Sequence, residues 1–437
     1  MEWWLTLTMI GTLLLALFFT GMPIFLAFLM INVAGVLIFL GPGAFGMVVN
    51  SVFNTTTTGT LTAIPLFILM GEILFRSGST DVLFRAIDRL VASITGRQYA
   101  LAMVLSTVFG ALSGSNMAVA AMMGRTIYPG MIARGYDEKL SIGVILAGAS
   151  LAPIIPPSVL AIIIATLANV SVAGLLIAGI LPGLLLSGMF LSYALLRCAL
   201  NPQLAPPAVG AGTLSESTEA LGFLLLRCLP FGIIIFAVMG FILAGVATPS
   251  ESAATGVVGA IITAGLFGNL SFRLLWNSLF QSAYIASMIL VIMASSTMFS
   301  QLLAFSGATN SLAAIVGQSS LDPVWIFLMM MLIVFVFCMF IDQVALMLVV
   351  IPVYMPLVGV LQFDEIWFWL LMLLNVTIGG MTPPFGYAIF AFKGVAPDTD
   401  LRTIIRATYP FIALFLLGMT LIYLFPPIAT SLPRLLE

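Results

Sequence analysis

The chain has 437 residues, of which 62% are hydrophobic and only 7% are charged. Its mean hydropathy is +1.23. Soluble domains carry roughly 25% charged residues, so this composition excludes an ordinary water-soluble protein. A transmembrane helix needs about 20 residues, so the chain has room for roughly ten to twelve. The composition predicts an all-α polytopic membrane protein.

The charged residues exclude several kinds of function. There are 14 Lys and Arg, 16 Asp and Glu, and no His. Without His there is no imidazole proton relay, no His-ligated metal and no Ser-His-Asp triad. Lys139 and Lys393 lie outside any Gly-rich phosphate loop, and a net charge of -2 gives no basic patch for nucleic acid. We predict a protein that is not an enzyme, has no cofactor and does not bind nucleic acid.

Apolar runs locate the spans in chain order. Ten spans are predicted, at about 4–20, 23–41, 60–76, 140–168, 172–198, 221–246, 251–269, 276–303, 366–395 and 407–427. Since no basic segment precedes the first run, it is interpreted as a retained span. Two further stretches, about 98–123 and 324–360, are interrupted by small or polar residues near the middle. Irregular backbone at that depth must be buried in protein or line a wet cavity, so both are predicted to be re-entrant hairpins.

The distribution of basic residues supports this topology. If the N-terminus lies outside and both hairpins re-enter, all of the 14 Lys and Arg residues except Arg434 fall on the inner side. The polar, Pro-rich segment 201–220 is then a cytoplasmic linker between two halves, 1–200 and 221–437.

Landmarks in the first half recur in the second in the same order. They are a Ser-Gly pair, a hairpin break and a Pro-broken helix: Ser77-Gly78 with Ser306-Gly307, 110–116 with 338–343, and 148–158 with 379–386. Each half holds five spans, an odd number, so the second half enters from the opposite side. The pattern predicts an inverted repeat, in which paired interrupted helices locate the binding site.

Each predicted break exposes backbone groups that bind ions. Carbonyls at one half-helix end suit Na⁺, while amides at the other end suit an anion. Pro153 and Pro156 have no amide hydrogen, so carbonyls one turn earlier lose their helical partners. The alternative is that these Gly, Ser and Pro residues only permit kinks and close packing.

Few charged residues interrupt the apolar stretches. Asp342, at the tip of the second hairpin, is predicted to complete a cation site or to contact substrate. Glu72 is expected to pair with Arg76 one turn later. Glu251 is expected to cap a helix. The segment 82–94, with Arg85, Asp88 and Arg89 between apolar residues, has the pattern of an interfacial amphipathic helix.

Five segments resemble the large membrane subunit of the tripartite ATP-independent periplasmic (TRAP) transporters. They are IPLFILMGEILFRSG (64–78), FGALSGSNMA (109–118), GVILAGASLAPIIPPS (143–158), ATPSESAATG (247–256) and GGMTPPFG (379–386). The resemblance covers the whole chain in the same order.

The resemblance implies an importer of organic acids in the bacterial inner membrane. It would be coupled to Na⁺ and would take dicarboxylates or sialic-acid-like carboxylates. Its partners would be a small four-helix membrane subunit and a periplasmic substrate-binding protein. The hairpins and broken helices would move through a fixed scaffold by an elevator mechanism.

The resemblance also implies which residues bind the ion and the substrate. Sodium would be bound by Ser113, Ser115, Gly148, Leu151, Pro153, Gly379, Thr382 and Phe385. Substrate would be bound by Ser115, Asn116, Pro156, Pro157, Ser158 and Asp342.

Three other interpretations remain open. A stand-alone Na⁺/dicarboxylate symporter of the same superfamily would need no periplasmic protein. An intramembrane aspartyl protease would need a second membrane aspartate beside Asp342, and a serine protease would need a general base. A passive channel would accumulate nothing.

Overall fold

The computed structural model describes residues 3–78, 83, 84, 86–88, 96–206 and 221–436. Every regular element within these ranges is a helix. The first half contains α1 Trp3–Phe19, α2 Ile24–Gly35, α3 Gly46–Thr57, α4 Ala63–Arg76, α5 Arg97–Ser113, α6 Asn116–Thr126, α7 Tyr128–Ala133, α8 Glu138–Ser150, α9 Val159–Leu167, α10 Val172–Ala178 and α11 Ile180–Leu200. The second half contains α12 Leu221–Leu243, α13 Pro249–Leu266, α14 Phe272–Phe305, α15 Ala308–Gly317, α16 Pro323–Phe337, α17 Gln343–Val360, α18 Glu365–Gly379, α19 Tyr387–Val395, α20 Leu401–Leu424 and α21 Pro427–Thr430.

Four helix pairs are interrupted near the middle of an apolar stretch. Hairpin 1 consists of α5 and α6, and hairpin 2 consists of α16 and α17. Broken helix 1 consists of α8 and α9, and broken helix 2 consists of α18 and α19. The interruptions lie at 114–115, 338–342, 151–158 and 380–386, within the segments that the Gly, Ser and Pro pattern indicates.

The helices differ from the predicted spans in length and number. Six helical segments in the described ranges are long and apolar enough to cross a membrane, if α10 and α11 are counted as one segment and the turn at 59–62 is counted with α4. Several of the other predicted spans correspond to shorter apolar helices such as α1 and α18. Two helices of ten or more residues, α3 and α15, lie in regions for which no span is predicted, as does the short helix α7. The predicted span 172–198 is divided at Gly179 into α10 and α11.

The helices pack in two groups. The outer group is formed by α2, α3, α4, α13 and α14, in which α14 packs against α2, α3 and α4. The inner group is formed by the two hairpins, the two broken helices and α20, with α5 against α8, α6 against α19, and α8 against α20. The groups meet where the Ser296 hydroxyl of α14 donates a hydrogen bond to the Leu348 carbonyl of α17 at 2.9 Å.

Two electrostatic predictions are confirmed in the outer group. Arg76 Nε lies 2.7 Å from Glu72 Oε2, one turn away on α4. Glu251 and Thr248 form a reciprocal capping box at the start of α13. Both pairs satisfy charged or polar groups locally, because helix periodicity brings residues three or four apart together.

The amphipathic segment lies only partly within the described residues. Leu83, Ala86 and Ile87 are buried, and Asp88 Oδ1 lies 3.7 Å from Arg97 Nη2. Arg85 and Arg89 lie outside the described residues, as does the part of the linker from 207 to 220.

Candidate functional site

The tip of hairpin 1 is a tight turn between two helices. α5 ends at Ser113, Gly114 adopts a left-handed conformation with φ of 61°, and Ser115 caps α6 by accepting from the Ala118 amide at 3.4 Å. A left-handed residue at a helix C-terminus favours glycine, which has no β-carbon. The Ser115 amide donates to the Ser113 hydroxyl at 3.3 Å. The turn therefore holds two hydroxyl groups at the tip.

Proline residues rearrange the backbone hydrogen bonds of broken helix 1. The Ile154 and Ile155 amides both donate to the Leu151 carbonyl at 3.0 Å. In a regular helix the Ile154 amide would pair with the Ser150 carbonyl, which loses that partner here. The Ser158 hydroxyl bridges the break by donating to the Pro153 carbonyl and accepting from the Ala161 amide at 3.1 Å. A hydrogen bond from the Ser158 hydroxyl to the Pro153 carbonyl therefore spans the break.

Two glycines of the predicted sodium sites lie at close helix contacts. A β-carbon on Gly148 would lie 2.5 Å from Cβ of Ser106 on α5, and one on Gly379 would lie 2.5 Å from the carbonyl oxygen of Cys338. No side chain fits at that separation. These glycines let broken helix 1 pack closely against the Ser106 side chain of hairpin 1, and broken helix 2 against the Cys338 backbone at the tip of hairpin 2.

Broken helix 2 has a related break. The Thr382 amide donates to the Gly379 carbonyl at 3.1 Å, and the Thr382 hydroxyl donates to the Ile378 carbonyl at 2.7 Å. Phe385 lies further along, with 57% of its surface exposed and its ring 5.8 Å from that of Phe340. Both broken helices contain a cis peptide bond, between Pro156 and Pro157 and between Pro383 and Pro384.

Asp342 caps a helix at the tip of hairpin 2. Its Oδ1 accepts from the Val344 amide at 2.9 Å and from the Ala345 amide at 3.4 Å. These bonds satisfy donors at the start of α17. This is a structural role, and the prediction that Asp342 contacts an ion or substrate remains a prediction.

A chain of side-chain hydrogen bonds joins three half-helix starts. Asn116 Nδ2 donates to the Tyr387 hydroxyl at 3.1 Å, which donates to Gln343 Oε1 at 2.8 Å. Asn116, Gln343 and Tyr387 are the first residues of α6, α17 and α19. Neither Gln343 nor Tyr387 is predicted from the sequence to be a site residue. The available signal is their position, because Gln343 is the last residue of the predicted break 338–343 and Tyr387 directly follows the predicted break 379–386.

A cavity of about 300 Å³ lies between the inner and outer groups. Of the predicted site residues, Ser113 and Ser115 line it. The inner wall also includes Gly114, Ala118, Val159, Leu160, Ile163, Gln343 and Val344, and the outer wall is formed by Ile68, Gly71, Glu72, Phe75, Ile285 and Ile289.

The cavity meets the N-terminal ends of three half-helices. Ser115 precedes α6, Val159 begins α9 and Gln343 begins α17. Helix N-termini present amide groups and partial positive charge to a ligand. The partial positive charge at these three starts favours an anion, although a side chain of this protein, Ser115, Ser158 or Asp342, already accepts from an amide of each helix.

The chain is similar to known transporter proteins over nearly its whole length. Residues 12–428 match the family model described as the DctM component of the tripartite ATP-independent periplasmic transporter. The ectoine TRAP transporter large permease protein of Halomonas elongata is 28% identical over 97% of both chains. The C4-dicarboxylate TRAP transporter large permease protein of Pseudomonas aeruginosa is 28% identical over 87% of this chain and 88% of its own.

The fold is also similar to that of a solved transporter structure. The YdaH transporter of Alcanivorax borkumensis superimposes with a TM-score of 0.63 at 15% identity, over 86% of each chain.

Proposed function

This chain belongs to the DctM component family of the tripartite ATP-independent periplasmic transporters, and we propose that it imports an organic carboxylate together with Na⁺. The observation that carries the proposal is the cavity at which hairpin 1, hairpin 2 and broken helix 1 meet. Its inner wall offers helix N-termini to a carboxylate. The neighbouring breaks redirect backbone carbonyl groups, which are suitable ligands for a hard cation.

The sodium sites of the proposal lie beside the two broken helices. In the first half, the ligands are drawn from Ser113, Ser115, Gly148, Leu151 and Pro153. In the second half, they are drawn from Gly379, Thr382 and Phe385. The close contact of Gly148 with Ser106, and of Gly379 with Cys338, supports the proposal because it brings the hairpin and the broken helix of each half together at these positions.

An inverted repeat accounts for the order of these elements. In each half a helix ends at a Ser-Gly pair whose glycine has positive φ, 65° at Gly78 and 73° at Gly307. A hairpin, a Pro-broken helix and a final long helix follow in both halves. We propose that the inner group carries substrate across the membrane against the outer group, as in an elevator.

The partners and substrate class of the proposal come from the relatives. Their names describe large permease proteins for ectoine, C4-dicarboxylates and sialic acid. We propose that this chain acts with a small membrane subunit in the bacterial inner membrane. A periplasmic binding protein delivers an organic acid to its outer face.

Uptake into proteoliposomes tests the proposal. The vesicles contain this chain with its small subunit, and the binding protein and an inward Na⁺ gradient are each omitted in turn. We expect accumulation only when both are present. Uptake without the binding protein would indicate a stand-alone symporter. Accumulation that does not depend on the Na⁺ gradient would contradict the proposed sodium sites.

A further inference from the structure

Pro352 leaves a carbonyl group of hairpin 2 without its helical partner. Pro352 lies inside helix α17. In a regular helix, the amide of residue 352 would donate to the carbonyl of Leu348, four residues earlier. Proline has no amide hydrogen, so the Leu348 carbonyl loses that partner. Leu348 is buried, and a buried carbonyl without a hydrogen bond is destabilising. The carbonyl therefore needs a donor from outside α17.

The outer group supplies this donor. The Ser296 hydroxyl of α14 donates to the Leu348 carbonyl at 2.9 Å, and only 1% of the Ser296 surface is exposed. The hydroxyls of its two neighbours, Ser295 and Thr297, donate to carbonyls one turn earlier in α14 itself, at 2.9 and 3.0 Å. Of these three hydroxyls, the central one bonds hairpin 2.

This hydrogen bond joins two groups that the proposed elevator movement separates. When hairpin 2 moves along α14, the Leu348 carbonyl leaves Ser296. Helix α17 cannot replace the lost donor, because residue 352 is a proline in every position of the inner group. In a helix without proline, the carbonyl would keep its internal partner during the movement. Departure from this position therefore carries the cost of an unsatisfied buried carbonyl.

From these contacts, and resting on the proposed elevator movement, we infer that Ser296 and Pro352 form a latch between the two groups. Pro352 frees the Leu348 carbonyl, and Ser296 binds it. The latch holds the inner group in the position of this structure, and it sets the fraction of molecules that occupy this position.

A distance measurement between the two groups tests the latch. Spin labels are attached to Val258→Cys on α13 and Tyr409→Cys on α20, two exposed positions, in a variant without the three native cysteines. The complex with the small subunit is measured in vesicles by pulsed EPR. The readout is the ratio of molecules at the distance of this structure to molecules at other distances. We expect Ser296→Ala to lower this ratio about fivefold, the factor that a typical net hydrogen-bond energy represents.

Pro352→Ala tests whether the proline creates the latch. This substitution restores the amide that pairs with the Leu348 carbonyl inside α17, so the carbonyl is satisfied in every position. We expect Pro352→Ala alone to lower the ratio, and Ser296→Ala to change it by less than about twofold when added to Pro352→Ala. Ser295→Ala is the matched control. Because the Ser295 hydroxyl bonds within α14, its removal should leave the ratio unchanged.

Three results would overturn the latch. In the first, Ser296→Ala changes the ratio equally with and without Pro352, so the bond does not depend on the proline. In the second, Ser296→Ala has the wild-type ratio. In the third, every variant shows a single distance.

Uptake by the same vesicles separates these failures from a failure of the proposed function. The labels report without substrate or binding protein. If uptake requires Na⁺ and the ratio does not respond to Ser296→Ala, the latch alone is wrong. If the ratio responds as expected and uptake does not depend on Na⁺, the latch stands and the proposed sodium coupling fails.

Discussion

At the scale of single residues, the close packing of each broken helix against its hairpin requires glycine at Gly148 and Gly379, because a β-carbon at either position would collide with the neighbour. Because a β-carbon on Gly148 would lie 2.5 Å from Cβ of Ser106, we expect Gly148→Ala to force α8 away from hairpin 1. Overpacking of this kind costs about 1–3 kcal/mol. Thermal unfolding of the purified complex should show the loss, together with weaker Na⁺-dependent stabilisation.

Gly188→Ala is the matched control for this substitution. Gly188 is also helical, but a β-carbon there meets nothing within 4 Å. Since alanine stabilises a helix by about 0.5–1 kcal/mol relative to glycine, this variant should be as stable as wild type or slightly more so. Equal destabilisation of both variants would contradict the packing explanation.

At the scale of elements, the hydrogen bonds of Tyr387 hold α6, α17 and α19 together. Tyr387→Phe preserves the ring but leaves Asn116 Nδ2 and Gln343 Oε1 without their partner. Asn116 is buried, and an unsatisfied buried polar group costs about 1–3 kcal/mol. We expect reduced Na⁺-driven uptake at normal membrane expression, measured as initial rates in proteoliposomes.

Tyr409→Phe tests whether the loss is specific to this position. Tyr409 lies on α20 with 53% of its surface exposed, so removal of its hydroxyl should leave uptake unchanged. If Tyr387→Phe also transports at the wild-type rate, the hydrogen bonds between the three helix starts have no role in transport.

The helix breaks were predictable because their causes are local. Pro153 and Pro156 remove amide donors wherever they occur in a helix, and Gly114 permits the left-handed turn. The Tyr387 hydrogen bonds could not be predicted in the same way, because Asn116 and Gln343 are remote in sequence. The position of Glu72 in the cavity lining depends on how α4 packs against hairpin 1. That packing cannot be predicted from the local sequence of either element.

Helix α3 was missed for a different physical reason. The last four residues of α3 and its C-cap Thr58, NTTTT at 54–58, have the composition of a polar loop. In the structure, the hydroxyls of Thr56, Thr57 and Thr58 donate to carbonyls one turn earlier, at 2.7–2.8 Å. Such bonds satisfy the threonine hydroxyl groups at the end of a helix. Hydropathy alone therefore fails to predict that this segment is helical.

At the scale of the whole molecule, the elevator proposal requires the inner group to slide past the outer group. The bond between the Ser296 hydroxyl and the Leu348 carbonyl, 2.9 Å long, joins α14 to hairpin 2 and must then break in each cycle. We expect that bridging Ser296→Cys and Leu348→Cys with Hg²⁺, in a variant without Cys198, Cys228 and Cys338, abolishes uptake. A thiol reductant should restore it.

A cross-link inside the outer group provides the control for this experiment. Asn32 Nδ2 donates to the Ser295 carbonyl at 2.7 Å, which joins α2 to the same helix α14. Because both helices belong to the outer group, bridging Asn32→Cys to Ser295→Cys should leave uptake intact. Transport that continues through a complete Ser296–Leu348 bridge would show that hairpin 2 and α14 do not separate, and the elevator mechanism would then be wrong for this chain.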